Sequence, residues 1–177
     1  MHRPRGQFFG VDALFALLII LFSFFGAMLL WSTFNNHVLN RESYLRLTES
    51  SQDALNQLVR TAGNATDWHL LTSATNETVD SLGLALEPTI LDPDKVTRLF
   101  NLTSTETGWK DVRILLGLTQ AGYNYSLVIY QANQTPLYQT LYNQTLPNRL
   151  TSATDRVALL NGQRVRLKLT VWVEPPP

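Results

Sequence analysis

The sequence predicts an α+β protein: one long N-terminal helix, its first half suited to a membrane or an assembly core, packed on a small antiparallel β-sheet head. Three observations predict it. Residues 11–31 are an apolar run whose only charged member is Asp12, and a bilayer core about 30 Å thick needs ~20 such residues to be crossed by a helix. Neither glycine nor proline occurs between Gly26 and Gly63, so nothing breaks a helix that continues out of the run. From Gly122 onward apolar residues alternate with polar ones, which is the period of half-buried strands.

The leader, 1–6, carries His2, Arg3 and Arg5, and the next Lys or Arg after the run is Arg41. That bias holds the N-terminus on the cytoplasmic side and places the rest of the chain outside. The helix is expected to serve as a transmembrane or assembly element over 7–34 and to continue outside the membrane over 35–63, with Asn35 and Asn36 as its weakest point. Val38, Leu45, Gln52 and Val59 recur every seven residues with Leu55 and Leu58 beside them, and Arg41, Glu42, Arg46, Glu49 and Asp53 supply a wet side. Gly63 stands where a left-handed cap would end the helix.

The head is expected over 64–177. Residues 64–87 are rich in Thr, Ser and Asn and read as a loop with Trp68 as packing anchor. Asp92-Pro93 is an N-cap followed by proline at the first helical position, opening a short helix through Phe100 with Val96, Leu99 and Phe100 on one side. A second helix fits 106–116 and ends before Gly117. Tyr123, Tyr125, Leu127 and Ile129 alternate with Asn124, Ser126 and Val128, and Leu137, Gln139 and Leu141 follow a turn at 133–136, which predicts a hairpin. The C-terminal strand puts Val165, Leu167, Leu169, Val171 and Val173 on one face and Arg164, Arg166, Lys168 and Thr170 on the other.

Asn161-Gly162 is a hairpin turn signal with two possible loops. A two-residue loop sets Asp155 opposite Lys168 but leaves Val157 and Leu159 on the cationic face. A three-residue loop aligns Val157 with Val165 and sets Arg156 opposite Arg166. A buried Val is worth ~1.5 to 3 kcal/mol against ~0.2 to 1 for an exposed pair, which favours the longer loop. Pro175, Pro176 and Pro177 cannot donate to a ladder and end the sheet.

Composition narrows the function classes. There is no cysteine, which excludes disulfides, thiolate metal sites and cysteine nucleophiles, and 14 basic residues balance 14 acidic ones. No polybasic footprint for nucleic acid results. None of the H-x-x-H, HExxH, Walker or G-x-S-x-G patterns occurs, so no catalytic residue, metal site or cofactor is expected and the chain does not read as an enzyme. Asp67-Trp68-His69 reads as an anchored tryptophan with solvated neighbours, and Asp92 and Asp94 as a helix start. Asn-x-Ser/Thr triplets stand at Asn64, Asn76, Asn101, Asn124, Asn133 and Asn143, six where 12 Asn and 29 Ser plus Thr predict roughly two by chance. All follow the apolar run, so they are candidate N-glycosylation sites on the exterior. Gly10, Ala13, Ala16, Ser23, Gly26 and Ala27 offer the small surfaces that pack helices in lipid.

This order of elements resembles the type IV pilin-like proteins. Arg5-Gly6-Gln7 directly ahead of the apolar run looks like the class III signal peptides of euryarchaeal pilins. The resemblance implies cleavage by a prepilin-type peptidase between Gly6 and Gln7, with the apolar helix kept as an assembly element. The family favours an acid at the fifth mature position; here Val11 is fifth and Asp12 sixth. An unpaired Asp in hydrocarbon costs ~2.5 kcal/mol or more, and the resemblance implies that Asp12 pairs with the new amino group of a neighbour's Gln7. In an uncleaved anchor Arg5 or the headgroup region would serve, or Asp12 simply caps the helix at the interface. The stretch at 61–69 also resembles a Thr-Pro-Gly-x-Pro-x-x-Trp segment of pilin-like surface proteins of methanogens: Thr61, Gly63 and Trp68 match, while Ala62 and Ala65 replace the prolines.

The expectation is therefore a single-pass, N-glycosylated cell-surface structural protein, in contact with membrane lipid and with copies of itself or other pilin-like subunits through its helix, as a (minor) pilus subunit. The rival is a monomeric, signal-anchored extracellular binding module whose tyrosines, at 123, 125, 130, 138 and 142, form a contact face. An ordinary secretory signal, with the run removed, is the third reading of the leader.

Overall fold

The computed structural model describes residues 7–71, 75, 77–119, 122–140 and 150–173 and, within the first helix, the side chains of 11–35 and 41–60. The leader with Gly6, the acceptors Asn76 and Asn143, Leu141, Tyr142 and the terminal prolines lie outside the described residues. The protein is α+β, with a long apolar-to-amphipathic helix followed by a curled mixed sheet, the arrangement of a pilin-like fold. Two compact units divide the chain, the first ending at Ser43 and the second starting at Tyr44. The second unit thus begins within the helix rather than at residue 64, because the last turns of that helix belong to its core.

Helix α1, Gln7–Arg60, includes Asn35 and Asn36. Its buried stripe is Leu47, Ser51, Ala54, Leu55, Leu58 and Val59, the 3.6-residue spacing of one straight helix. The seven-residue stripe is corrected by this: Leu45 is 54 % exposed and Gln52 is exposed. A heptad drifts ~20° per repeat from a straight helix, and Ser51 in mid-stripe masks the true one.

Beyond α1, strand β1 (Gly63–Asn64) pairs antiparallel with β2 (Ser81–Leu82), enclosing a 3-10 turn at Trp68–Leu70. Gly63 has φ +88° but opens β1 instead of capping α1. The last carbonyls of α1 are satisfied by the following segment: Leu84 N–H donates to Leu58 O at 2.8 Å and Thr89 N–H to Val59 O at 3.2 Å. The anchor role of Trp68 holds; it is fully buried and its indole N–H donates to Gly83 O at 2.9 Å.

Strands β3 (Ala85–Glu87) and β4 (Ile90–Leu91) precede α2 (Pro93–Leu102) and α3 (Glu106–Leu115). The Asp92 carboxylate accepts from Asp94 N–H and Lys95 N–H, and Thr105 Oγ1 caps α3 by accepting from Gly108 N–H. β5 (Tyr123–Gln131) and β6 (Pro136–Gln139) form the expected hairpin, and β7 (Thr151–Leu160) and β8 (Gln163–Val173) a second.

The six-stranded order is β3-β4-β7-β8-β5-β6. The expected antiparallel sheet is corrected to a mixed one, because β4 runs parallel to β7 with Ile90 beside Leu159. Two helices and a hairpin lie between these strands in the chain, enough length for the crossover that a parallel pair requires.

The loop between β7 and β8 is also corrected. It has two residues, Asn161 at φ +52° and Gly162 at φ +75°, both left-handed as a type I′ turn demands. Asp155 faces Lys168, Val157 faces Arg166 and Leu159 faces Arg164, leaving Val157 60 % and Leu159 37 % exposed. The opposite face of β7 is held to α1 by polar pairs. Ser51 Oγ donates to Thr154 Oγ1 at 2.8 Å, Ser152 Oγ to Thr48 Oγ1 at 3.3 Å and Arg156 Nε to Asn56 Oδ1 at 3.0 Å. Turn geometry and these bonds outweigh the burial of two aliphatic side chains. Ser51→Ala should therefore lower stability by about 1 to 2 kcal/mol by stranding the Thr154 hydroxyl, while Ser51→Ala with Thr154→Val should come out near neutral. Thermal unfolding followed by near-UV circular dichroism checks both.

One core joins α1, α2, α3 and the inner sheet face. Trp109 stacks on Tyr125 at 5.2 Å between centroids and Phe100 on Tyr138 at 5.3 Å. Burial pushes the Tyr125 phenol well above its usual range, partly opposed by the positive charge of Arg113.

Candidate functional site

The feature that sets this chain apart is the first half of α1. Leu, Ile, Phe and Ala dominate it, all compatible with a helix, and no proline interrupts it. Val11–Asn35 is long and apolar enough to cross a membrane, and none of it is buried within the protein. At 1.5 Å per residue it spans roughly 37 Å, more than a hydrocarbon core of about 30 Å. Phe22 is 75 %, Leu30 73 % and Trp31 72 % exposed, with apolar side chains on every side of the helix. A helix apolar all round needs an apolar medium: a protein core, a bundle or lipid.

Its few polar groups fit such a medium. Thr33 Oγ1 donates to Leu29 O at 2.9 Å, so that hydroxyl is satisfied inside the helix. Trp31 and Phe34 stand toward the C-terminal end, where aromatic residues favour a membrane interface. Asp12 is exposed in the early turns and has no hydrogen bond or ion pair among the described residues. Gln7 is the first residue of the helix. Gly26 has no atom within 4 Å of where a Cβ would stand, leaving a small open surface.

The glycan acceptors separate by burial. Asn133 is exposed in the β5–β6 turn, with Oδ1 accepting from Thr135 N–H at 3.0 Å. Asn101 is exposed near the end of α2, and Asn64 is exposed with Nδ2 donating to Asp80 Oδ2 at 2.6 Å. Asn124 is corrected: it is 3 % exposed on β5 and its Oδ1 accepts from Arg113 Nη1 at 2.7 Å. A glycan there has no room in the folded unit.

The tyrosine contact face is corrected as well. Tyr123 is 7 % exposed and Tyr125 fully buried, both within the core, while Tyr130 lies under the Arg166 guanidinium at 5.0 Å. Period-two tyrosines signal a strand face without saying which one. Asp67 is exposed beside buried Trp68, and among the described residues no group of three or more His, Asp or Glu is placed to hold a metal ion. Sequence reasoning missed the exposed aliphatic pair on β7, because its visibility depended on the hairpin loop.

Compared with known proteins, the chain matches no family model, no curated protein and no solved structure.

Proposed function

We propose that this chain is a pilin-like, membrane-anchored and N-glycosylated archaeal cell-surface protein with a structural role, as a (minor) pilus subunit. The observation that carries the reading is the fully exposed apolar helix Val11–Asn35. In this reading a prepilin-type peptidase removes the basic leader after Gly6, the N-terminal helix stands in the membrane with the C-terminal unit outside, and copies associate through the helix. Small residues along it permit close approach, and Asp12 gives its polar start a need for a positive partner that a neighbour's Gln7 amino group would meet. The binding-module reading has less support, since two of its contact tyrosines belong to the core.

Mass spectrometry of the native product tests this. The first residue should be Gln7; a first residue beyond Trp31 would overturn it, and retention of Met1 would reduce it to a plain signal anchor. The glycan part has its own check. Asn133→Gln should remove one glycan mass from the native protein, whereas Asn124→Gln should leave the glycan mass unchanged.

A further inference from the structure

The second unit is electrically two-faced. Residues 61–116, which hold α2, α3, the short strands β1–β4 and the loops between them, carry eight acidic and four basic side chains, whereas residues 150–173, the β7–β8 hairpin, carry four basic and one acidic. The inner sheet face is covered by α1, α2 and α3. The outer face of the hairpin carries Arg164, Arg166 and Lys168, with Asp155 as its one acid, 3.8 Å from Arg166.

That cationic face is also apolar. Val157 is 60 % and Leu159 37 % exposed, Leu86 on β3, separated from β7 by β4, is 68 % exposed, and a groove of about 260 Å³ runs past Thr89, Val157, Leu159 and Arg164. Thr89 at its edge has φ +71°, an unusual conformation for a β-branched residue. It is held there because its carbonyl accepts from Leu159 N–H at 2.8 Å and its own N–H donates to α1.

The helical layer offers the complement. Leu70 is 74 % and Leu71 36 % exposed, Asp67 and Asp94 are exposed, and Arg98 Nη2 fixes the segment by donating to Leu71 O at 2.9 Å. One patch is aliphatic with positive charge; the other is aliphatic with the exposed carboxylates of Asp67 and Asp94 around the half-buried Arg98. The second is carried by α2 and the 3-10 turn that packs against it, the first by the sheet.

We propose that the outer face of β7–β8 docks onto the Leu70–Asp94 region of a second copy of this chain. The contact is heterologous, so it repeats from copy to copy instead of closing as a two-fold dimer. The inference rests on the reading that copies share a membrane or bundle through α1, which raises their effective concentration and lets a modest contact suffice.

Disulfide trapping in the full chain tests it, since the protein has no cysteine of its own. Leu70→Cys with Leu159→Cys, oxidised in membranes of producing cells, should give a ladder of dimers, trimers and longer species, and either single variant should stay monomeric. Adding Arg164→Glu and Arg166→Glu should abolish the ladder, and Asp67→Lys with Asp94→Lys on top should restore it. A double-cysteine protein that remains monomeric overturns the contact, and so does a ladder indifferent to charge reversal. A separate Ala16→Cys variant reports association of the apolar helix. A dimer there without a head ladder rejects this interface alone; loss of both rejects the shared-helix reading too.

Discussion

Replacing Leu21 and Phe25 with arginine should release the chain from membranes. Both sit near the middle of Val11–Asn35, and both side chains are exposed, at 44 % and 61 %. An arginine at the centre of a membrane helix costs ~2.5 to 3.5 kcal/mol, so two cost roughly 5 to 7 kcal/mol, or about four decades in partition. Neither residue belongs to the compact unit that starts at Tyr44, so near-UV circular dichroism of that unit should be unchanged. Carbonate extraction and flotation read the outcome. Leu45→Arg, at a solvent-exposed position beyond the apolar segment, is the control and should stay membrane-bound. Continued flotation of the double variant would show that lipid is not what the bare helix is for.

Gly83→Ala should be the most damaging single methyl group in the C-terminal unit. A Cβ at Gly83 would lie 2.1 Å from Thr61 O, 2.4 Å from Gly63 N and 2.5 Å from Thr61 Oγ1. Two of those atoms are backbone, so no rotamer change relieves the clash. The chain must move, and with it go the β1–β2 pairing, the Leu84 to Leu58 bond that caps α1, and the Trp68 indole bond to Gly83 O. Overpacking of this kind costs about 3 kcal/mol, which for a unit of this size lowers Tm by roughly 10 °C. Gly117→Ala separates crowding from backbone strain. Gly117 has φ +71° and nothing within 4 Å of its Cβ position, so alanine there should cost only about 1 to 2 kcal/mol. Equal losses at the two glycines would refute the crowding argument.

Local signals were legible where one short segment contains its own cause. Asp92-Pro93 opened α2 as expected because the cap carboxylate and the Asp94 N–H that donates to it are two residues apart. The 123–139 hairpin and the 163–173 strand followed from alternation alone. The stripe on α1 was misread because its centre is Ser51, a residue that belongs inside only when Thr154, 103 residues away, is there to meet it. The β7–β8 register was misread for the same reason: ranking Val157 above the polar face presumes an apolar partner, and α1 presents Thr48, Ser51 and Asn56 instead. Asn124 heads the same triplet as the exposed acceptors, and only its burial and the bond from Arg113 set it apart.

What this sequence determined by itself is the apolar segment, the uninterrupted helix and the strands 123–131 and 163–173, since hydropathy, breakers and period act over a few neighbouring residues. What only the tertiary structure decided is which faces of α1 and β7 lie inside, the parallel seating of β4 against β7, and the placing of Val157 and Leu159 beside Arg164 and Arg166. Those depend on partners distant in the chain, whose hydrogen bonds and close contacts choose between alternatives that local energies leave within a few kcal/mol of one another.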